Sequence, residues 1–217
     1  MKWIRRILIA ILVIILVFIV GVAAIIGLDT ITGNTAADYA NITYPAQDDT
    51  TLQAFLAVPE GEGPFPAILM VHEWWGLNAE IGEMADRLSE EGYVVLAPDT
   101  YRGATTSQVP RAIFLRVTTP EERVDEDMMA AYDYLAARED VDASRIGVMG
   151  FCYGGGVALR HAVLNPEIVA TANLYGDTIL DPSQFGALLE PDAGPVFGVF
   201  GTEDMQIPVE EVADFEK

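Results

Sequence analysis

The chain has 217 residues, with 12 Lys+Arg against 33 Asp+Glu and a formal net charge of −21. So acidic a chain repels nucleic acid and anionic lipid headgroups, which argues against phosphate-binding roles and makes the charge chiefly a solubility device. Its single cysteine, Cys152, rules out an intramolecular disulfide; the thiol is inert and buried, bonded to another molecule, or reactive.

The first thirty residues form a separate unit. Lys2, Arg5 and Arg6 precede an uninterrupted apolar stretch from Ile7 to Leu28. As a helix this stretch spans about 33 Å, enough to cross a hydrocarbon core of roughly 30 Å. The apolar region of a secretory signal is shorter, about 7–15 residues. Residues 1–28 are therefore expected to be a membrane anchor that meets lipid through residues 7–28. Cleavage at the small residues Val22-Ala23-Ala24 is the alternative and would release a secreted domain. The positive residues stay cytoplasmic, so everything after Leu28 is expected outside. Beyond the first thirty residues the chain carries 9 basic and 32 acidic side chains, net −23.

Residues 29–38 are small and polar and are expected to be a linker to one domain over 39–217, a size suited to a single core. Strands are expected at 40–44 and 52–58, joined by the turn-forming Gln47-Asp48-Asp49-Thr50 and closed by a Pro/Gly loop at 59–64. The short apolar run 67–71 is a strand buried on both faces. Ile81, Met84, Ala85 and Leu88 recur at helical spacing, and Gly92 ends that helix. A second buried strand, 93–97, stops at Pro98-Asp99. Residues 100–120 are expected to be irregular and to lie near the mouth of a site. An amphipathic helix follows over 121–138, with Val124, Met128, Ala131, Tyr132 and Leu135 inward. Further strands are expected at 146–149, 169–174 and 196–200, with helices at 154–164 and from Val209. Strands alternating with helices imply a mostly parallel sheet covered on both faces.

The residues after the 146–149 strand, Gly150-Phe151-Cys152-Tyr153-Gly154-Gly155, read as G-x-C-x-G. In a G-x-S-x-G elbow the nucleophile stands on a sharp strand–helix turn, and the glycines let neighbouring backbones approach. Here the nucleophile is a thiol at a helix N-terminus, whose partial positive charge favours thiolate. The Tyr153 N–H is the first candidate oxyanion donor. The second is the Trp74 N–H, in His72-Glu73-Trp74-Trp75-Gly76 after the earlier buried strand. The Trp74 and Trp75 side chains are expected to line a pocket wall. The sequence has neither a His/Cys ligand cluster nor a phosphate-cradling loop ahead of a lysine, so no metal or organic cofactor is implied.

Together with Ala97-Pro98-Asp99-Thr100-Tyr101 and Gly201-Thr202-Glu203-Asp204, these motifs resemble the dienelactone hydrolase (carboxymethylenebutenolidase) family over residues 40 to 217. The resemblance implies a three-layer α/β-hydrolase fold and cleavage of small-molecule esters or lactones through a thioester. It implies Cys152 as nucleophile, Asp204 as the acid that orients a histidine (with Glu203 as the substitute), and Glu73 as a carboxylate that contacts the resting thiol. Tyr101 and Arg102 fall where the family contacts substrate, and Trp75, expected in the pocket wall, is a further candidate substrate contact. The sequence departs from the family at the histidine, which should follow Asp204. His161 lies nine residues past Cys152 on a helix, about 13 Å along it, and reads as a surface or sheet-packing residue. His72 reads as support for its own loop, with a base role as the alternative. Either the C-terminal part of the domain is missing, which the unfinished helix after Val209 favours, or the chain is a hydrolase-fold binding module without its base. A redox thiol would need a resolving cysteine that the sequence lacks.

Overall fold

The computed structural model of the chain describes residues 2–179 and 181–216. The apolar N-terminus forms one helix, α1 (Lys2–Thr32), of 31 residues, about 46 Å long. By length and composition it can cross a membrane.

Residues 29–38 are not a free linker. The helix continues through Asp29 to Thr32, and Arg111 Nη1 meets the Asp29 carboxylate at 2.9 Å and its carbonyl at 2.8 Å. Thr35 then pairs with Ala104 as an isolated antiparallel bridge, and Ala36 is buried with its N–H on the Gly103 carbonyl at 3.1 Å. Small side chains allow that close backbone approach, which is why the segment lacks any hydrophobic pattern.

Among the described residues seven strands form one sheet in the order β1-β2-β4-β3-β5-β6-β7. They are β1 (Ile42–Pro45), β2 (Thr51–Ala57), β3 (Phe65–Val71), β4 (Val94–Pro98), β5 (Val141–Phe151), β6 (Thr171–Leu174) and β7 (Val196–Val199). The β1/β2 and β2/β4 pairs are antiparallel, and the remaining pairs are parallel. The helices are α2 (Ala79–Glu90), α3 (Val109–Thr118), α4 (Glu121–Ala136), α5 (Tyr153–Leu164) and α6 (Val209–Phe215).

The two-residue period of the strands divides the core. Ala67, Leu69 and Val71 of β3, with Val94 and Leu96 of β4, pack with α4 and α5 through Val124, Met128, Leu135, Val157 and Ala158. Met70, Val95 and Ala97 point to the other face and meet Ile81 and Ala85 of α2. On that second face α2 packs against β2 and β4. Next to it lies an apolar groove of about 590 Å³ lined by Ile68, Met149, Ala172 and Phe197.

Two expectations are corrected. Strand β5 begins at Val141 rather than 146. The 100–120 stretch contains the ten-residue helix α3. Pro110 near its start is no obstacle, because a first-turn N–H has no partner inside the helix.

Candidate active site

The parallel strands place their C-terminal ends side by side. The loops after β3, β4, β5, β6 and β7 therefore carry Glu73, Tyr101, Cys152, Tyr175 and Asp204 toward one edge of the sheet. Cys152 sits between β5 and α5 with φ of 52°, a conformation that L residues seldom adopt and that costs of order 1–3 kcal/mol. The surrounding backbone enforces it. The Cys152 N–H donates to the Leu174 carbonyl at 2.9 Å, and the Cys152 carbonyl accepts from the Gly155 N–H, also at 2.9 Å. A Cβ on Gly150 would run into the Gly154 carbonyl, and one on Gly154 into the carbonyls of Val71 and His72. Those two glycines are what let the turn close.

The half-buried thiol opens into a cavity of about 320 Å³ lined by Trp74, Arg116, Tyr153, Tyr175, Asp177, Asp204, Gln206 and Ile207. Burial pushes its pKa above the ordinary thiol value. The Tyr153 N–H pulls it down, and the negative charges of Glu73, Asp177 and Asp204 push it further up. The helix terminus thus loses to desolvation and to three carboxylates, and the resting group is the neutral thiol.

The loop after β3 is a turn closed by the Gly76 N–H on the Glu73 carbonyl at 3.1 Å. That bond leaves the Trp74 N–H outside the turn's own pairing, on the residue that lines the cavity. Glu73 accepts the Tyr175 hydroxyl at 3.2 Å, and Tyr175 reaches it from a backbone with φ of 47°. Asp204 lines the cavity while its Oδ1 accepts the N–H groups of Gln206 at 2.7 Å and Ile207 at 3.2 Å. It therefore folds its own Asx turn as well as facing the thiol.

Three expected contacts fall elsewhere. Arg102 makes a two-pronged pair with Asp127 of α4, at 2.9 and 2.7 Å, and reaches Asp48 at 3.5 Å; its guanidinium is turned away from the cavity. Tyr101 is buried, with its ring 5.1 Å from His72 and stacked 5.4 Å from Tyr153, so it backs the site rather than lining it. Trp75 is not in the cavity wall: its ring meets that of Trp74 at 4.8 Å, and its carbonyl accepts from the Thr105 hydroxyl and the Thr106 N–H.

Neither histidine is placed to act as a base. The His72 Nδ1 lies 2.6 Å from the Glu73 carbonyl, which can only accept, so Nδ1 carries the proton. Its Nε2 then accepts from the Thr100 N–H at 3.2 Å, with the Thr100 hydroxyl at 2.9 Å. Both nitrogens are engaged, and burial lowers its pKa to about 4. His161 is not at the surface. It is buried against Tyr132 of α4, ring centroids 6.4 Å apart, and burial likewise lowers its pKa to about 4.

Sequence reasoning missed Arg116, Tyr175 and Asp177. Tyr175 and Asp177 follow β6, where a strand-end rule would have found them. Arg116 pairs with Asp177 at 3.6 Å and stacks over the Tyr153 ring at 5.2 Å. It reaches the site only because α3 packs there.

Residues 52–217 match the model of the dienelactone hydrolase family. The chain belongs to that family. The proteins named "Putative carboxymethylenebutenolidase" from Methylorubrum extorquens and from Aquifex aeolicus are each 32% identical to it. The first alignment covers 77% of this chain and 61% of the relative, the second 76% and 72%. The chain thus spans less than two thirds of the first relative's length. The crystal structure described as "Putative Dienelactone Hydrolase from Klebsiella pneumoniae subsp. pneumoniae MGH 78578" has a TM-score of 0.68 at 26% identity, covering 80% of this chain and 76% of that one. The α/β-hydrolase fold with a mostly parallel sheet is therefore the fold of this family member.

Proposed function

We propose that the chain is a carboxylic ester or lactone hydrolase with Cys152 as its nucleophile. The observation that carries this reading is the strained Cys152 backbone at the end of β5, opening its thiol on a cavity walled by Trp74 and Asp204. The thiol gives its proton to Glu73, whose charge already bears on it, and sulfur adds to the substrate carbonyl. The N–H groups of Tyr153 and Trp74 hold the oxyanion. The C–O bond to the leaving alkoxide then breaks, that oxygen takes the proton held by Glu73, and water cleaves the thioester to give the carboxylic acid and the restored thiol. Asp204 is the acid that would orient a base for the water step. The relatives' names point to lactones as the natural class.

The test is a burst experiment on the full chain in detergent with p-nitrophenyl acetate. Wild type should release about one equivalent of p-nitrophenol in a fast phase, with an acetyl adduct on Cys152 by mass spectrometry, and Cys152→Ala should show neither. Equal release from both proteins sinks the nucleophile assignment. A second reading, a hydrolase-fold binding module, is favoured by the engagement of both His72 nitrogens. A burst without turnover, restored to turnover by added imidazole, supports a nucleophile that lacks its base. Ligand binding without any burst supports the module.

For the N-terminus we propose a membrane anchor with the domain outside, on the strength of Lys2, Arg5 and Arg6 ahead of the apolar span. Protease added to intact spheroplasts of a bacterial host should digest the domain. Protection would reverse the sidedness, and a mature N-terminus near Ala24 would replace the anchor with a cleaved signal.

A further inference from the structure

Helix α3 separates two surfaces. At 100° per residue, Val109, Ile113, Val117 and Phe114 fall at 0°, 40°, 80° and about 140° around its axis, one continuous arc with Pro110 inside it. All four are exposed, at 49%, 49%, 71% and 48%. The opposite arc holds Arg111 and Ala112, both buried, and the half-buried Leu115. A solvent-facing surface helix would carry polar residues on the outer arc; this one carries none.

The position of α3 says what covers that arc. It packs against α1, and Val22, Ile26 and Asp29 form the one-sided stripe of α1 that is half-buried there. Val22 and Ile26 belong to the apolar span, so α3 lies beside membrane-depth residues. The Asp29–Arg111 pair fixes it where that span ends. A second copy of this chain is a poor occupant, because beyond the first thirty residues each copy carries a net charge of −23. Arg111 and Arg116 are both paired with acids, so apolar burial and not attraction to anionic lipid must hold the helix.

We propose that α3 is an interfacial helix, lying in a neutral bilayer surface beside α1 with Val109, Ile113, Phe114 and Val117 in the headgroup–acyl boundary. Arg116, five residues or about 7.5 Å along the axis from Arg111, then places the Cys152 cavity at that surface. The substrates so presented are amphiphilic esters held in the membrane. This inference rests on the reading of α1 as a bilayer span and, for the substrate class, on the hydrolase reading.

The experiment uses the full chain, with Cys152→Ala to remove the native thiol, in phosphatidylcholine vesicles carrying doxyl-lipid quenchers. An environment-sensitive label is placed by Val17→Cys, Ile113→Cys or Glu139→Cys; Glu139 precedes β5, at the opposite end of the sheet. The label at 113 should be quenched by a shallow doxyl lipid more than by a deep one, that at 17 in the reverse order, and that at 139 by neither. Quenching at 17 without quenching at 113 overturns the interfacial helix while leaving the anchor intact, and gives the apolar arc to a protein partner. Absence of quenching at 17 overturns the anchor, and this inference with it. In the otherwise native chain, Ile113→Glu with Val117→Glu should slow hydrolysis of a long-chain p-nitrophenyl ester in vesicles several-fold and leave the acetate ester rate unchanged. An equal effect on the two esters overturns the substrate class. Absence of both turnover and an initial burst from wild type on the two esters, with imidazole added, overturns the hydrolase reading and the substrate clause, with the position of α3 still decided by quenching.

Discussion

The nucleophile and the acid stand on unlike halves of one sheet. Strands β3, β4 and β5 and helix α5 form the more closed half: every residue of β4 is buried, and α4 and α5 cover one face with Met128, Leu135 and Val157, although the groove beside α2 leaves Ile68 and Met149 half-buried on the other. Strand β7, which leads to Asp204, is the open half, with Phe197 62% exposed. The thiol is therefore held by backbone that cannot move without unpacking the core. The acid is held by a short strand and its own Asx turn. Precision of the nucleophile comes from burial, whereas the acid is positioned chiefly by the two N–H groups of its own turn.

The largest effect expected from this contrast is on stability. Gly154→Ala places a methyl group against the Val71 and His72 carbonyls, which are backbone and cannot rotate away. The loss should reach or exceed the upper end of overpacking costs, about 3 kcal/mol. Gly201→Ala, on the acid's side, meets its nearest atoms at 3.8 and 3.9 Å, an ordinary contact, and should stay within about 0.5 kcal/mol of wild type. Urea unfolding of the full chain in detergent measures both. Comparable losses would show that the two halves are equally constrained.

The closed half was also the more legible one. The runs at 67–71 and 93–97 announce buried strands because no polar residue interrupts them, and Gly150 and Gly154 announce the elbow because only glycine allows that approach. Helix α3 was not legible, because its apolar residues face away from the core and so break the pattern that marks a surface helix. Residues 29–38 looked like a linker because docking there uses a small Ala36 and an ion pair rather than a hydrophobic stripe. Arg102 pointed to the site by its place in the chain. Its pairing with Asp127 depends on α4, which local sequence does not encode. The same holds for the base role weighed for His72, whose Nε2 is occupied by Thr100, 28 residues away.

A smaller effect probes the closed half through pH. His161 is neutral in the folded chain until its pKa of about 4, whereas the unfolded side chain titrates near 6.5. The unfolded state thus binds the extra proton, and stability falls as pH drops from 6.5 toward 4, by up to about 3 kcal/mol for this one group. His161→Leu keeps an apolar side chain of similar size in the site and removes a buried Nδ1 that has no hydrogen-bond partner among the described residues. The variant should melt above wild type, by a margin that widens between pH 8 and pH 5. A constant margin would mean that His161 is not buried as a neutral group.

The finest contrast lies between two of the three acids that act on the thiol, Glu73 in one half and Asp204 in the other. The Glu73 charge raises the Cys152 pKa more than that of Asp204 does, and Glu73 sits on the turn after β3, in the closed half. Glu73→Gln removes one negative charge without changing the shape of the side chain, so the thiolate becomes easier to form. The midpoint of the pH–rate curve for iodoacetamide alkylation should move down, and the rate at pH 7 should rise. Asp204→Asn should move it in the same direction by less. Glu80→Gln, on α2, should leave it in place. An inverted order, with Asp204→Asn the stronger, would mean that the Asp204 charge bears on the thiol more closely than that of Glu73 does.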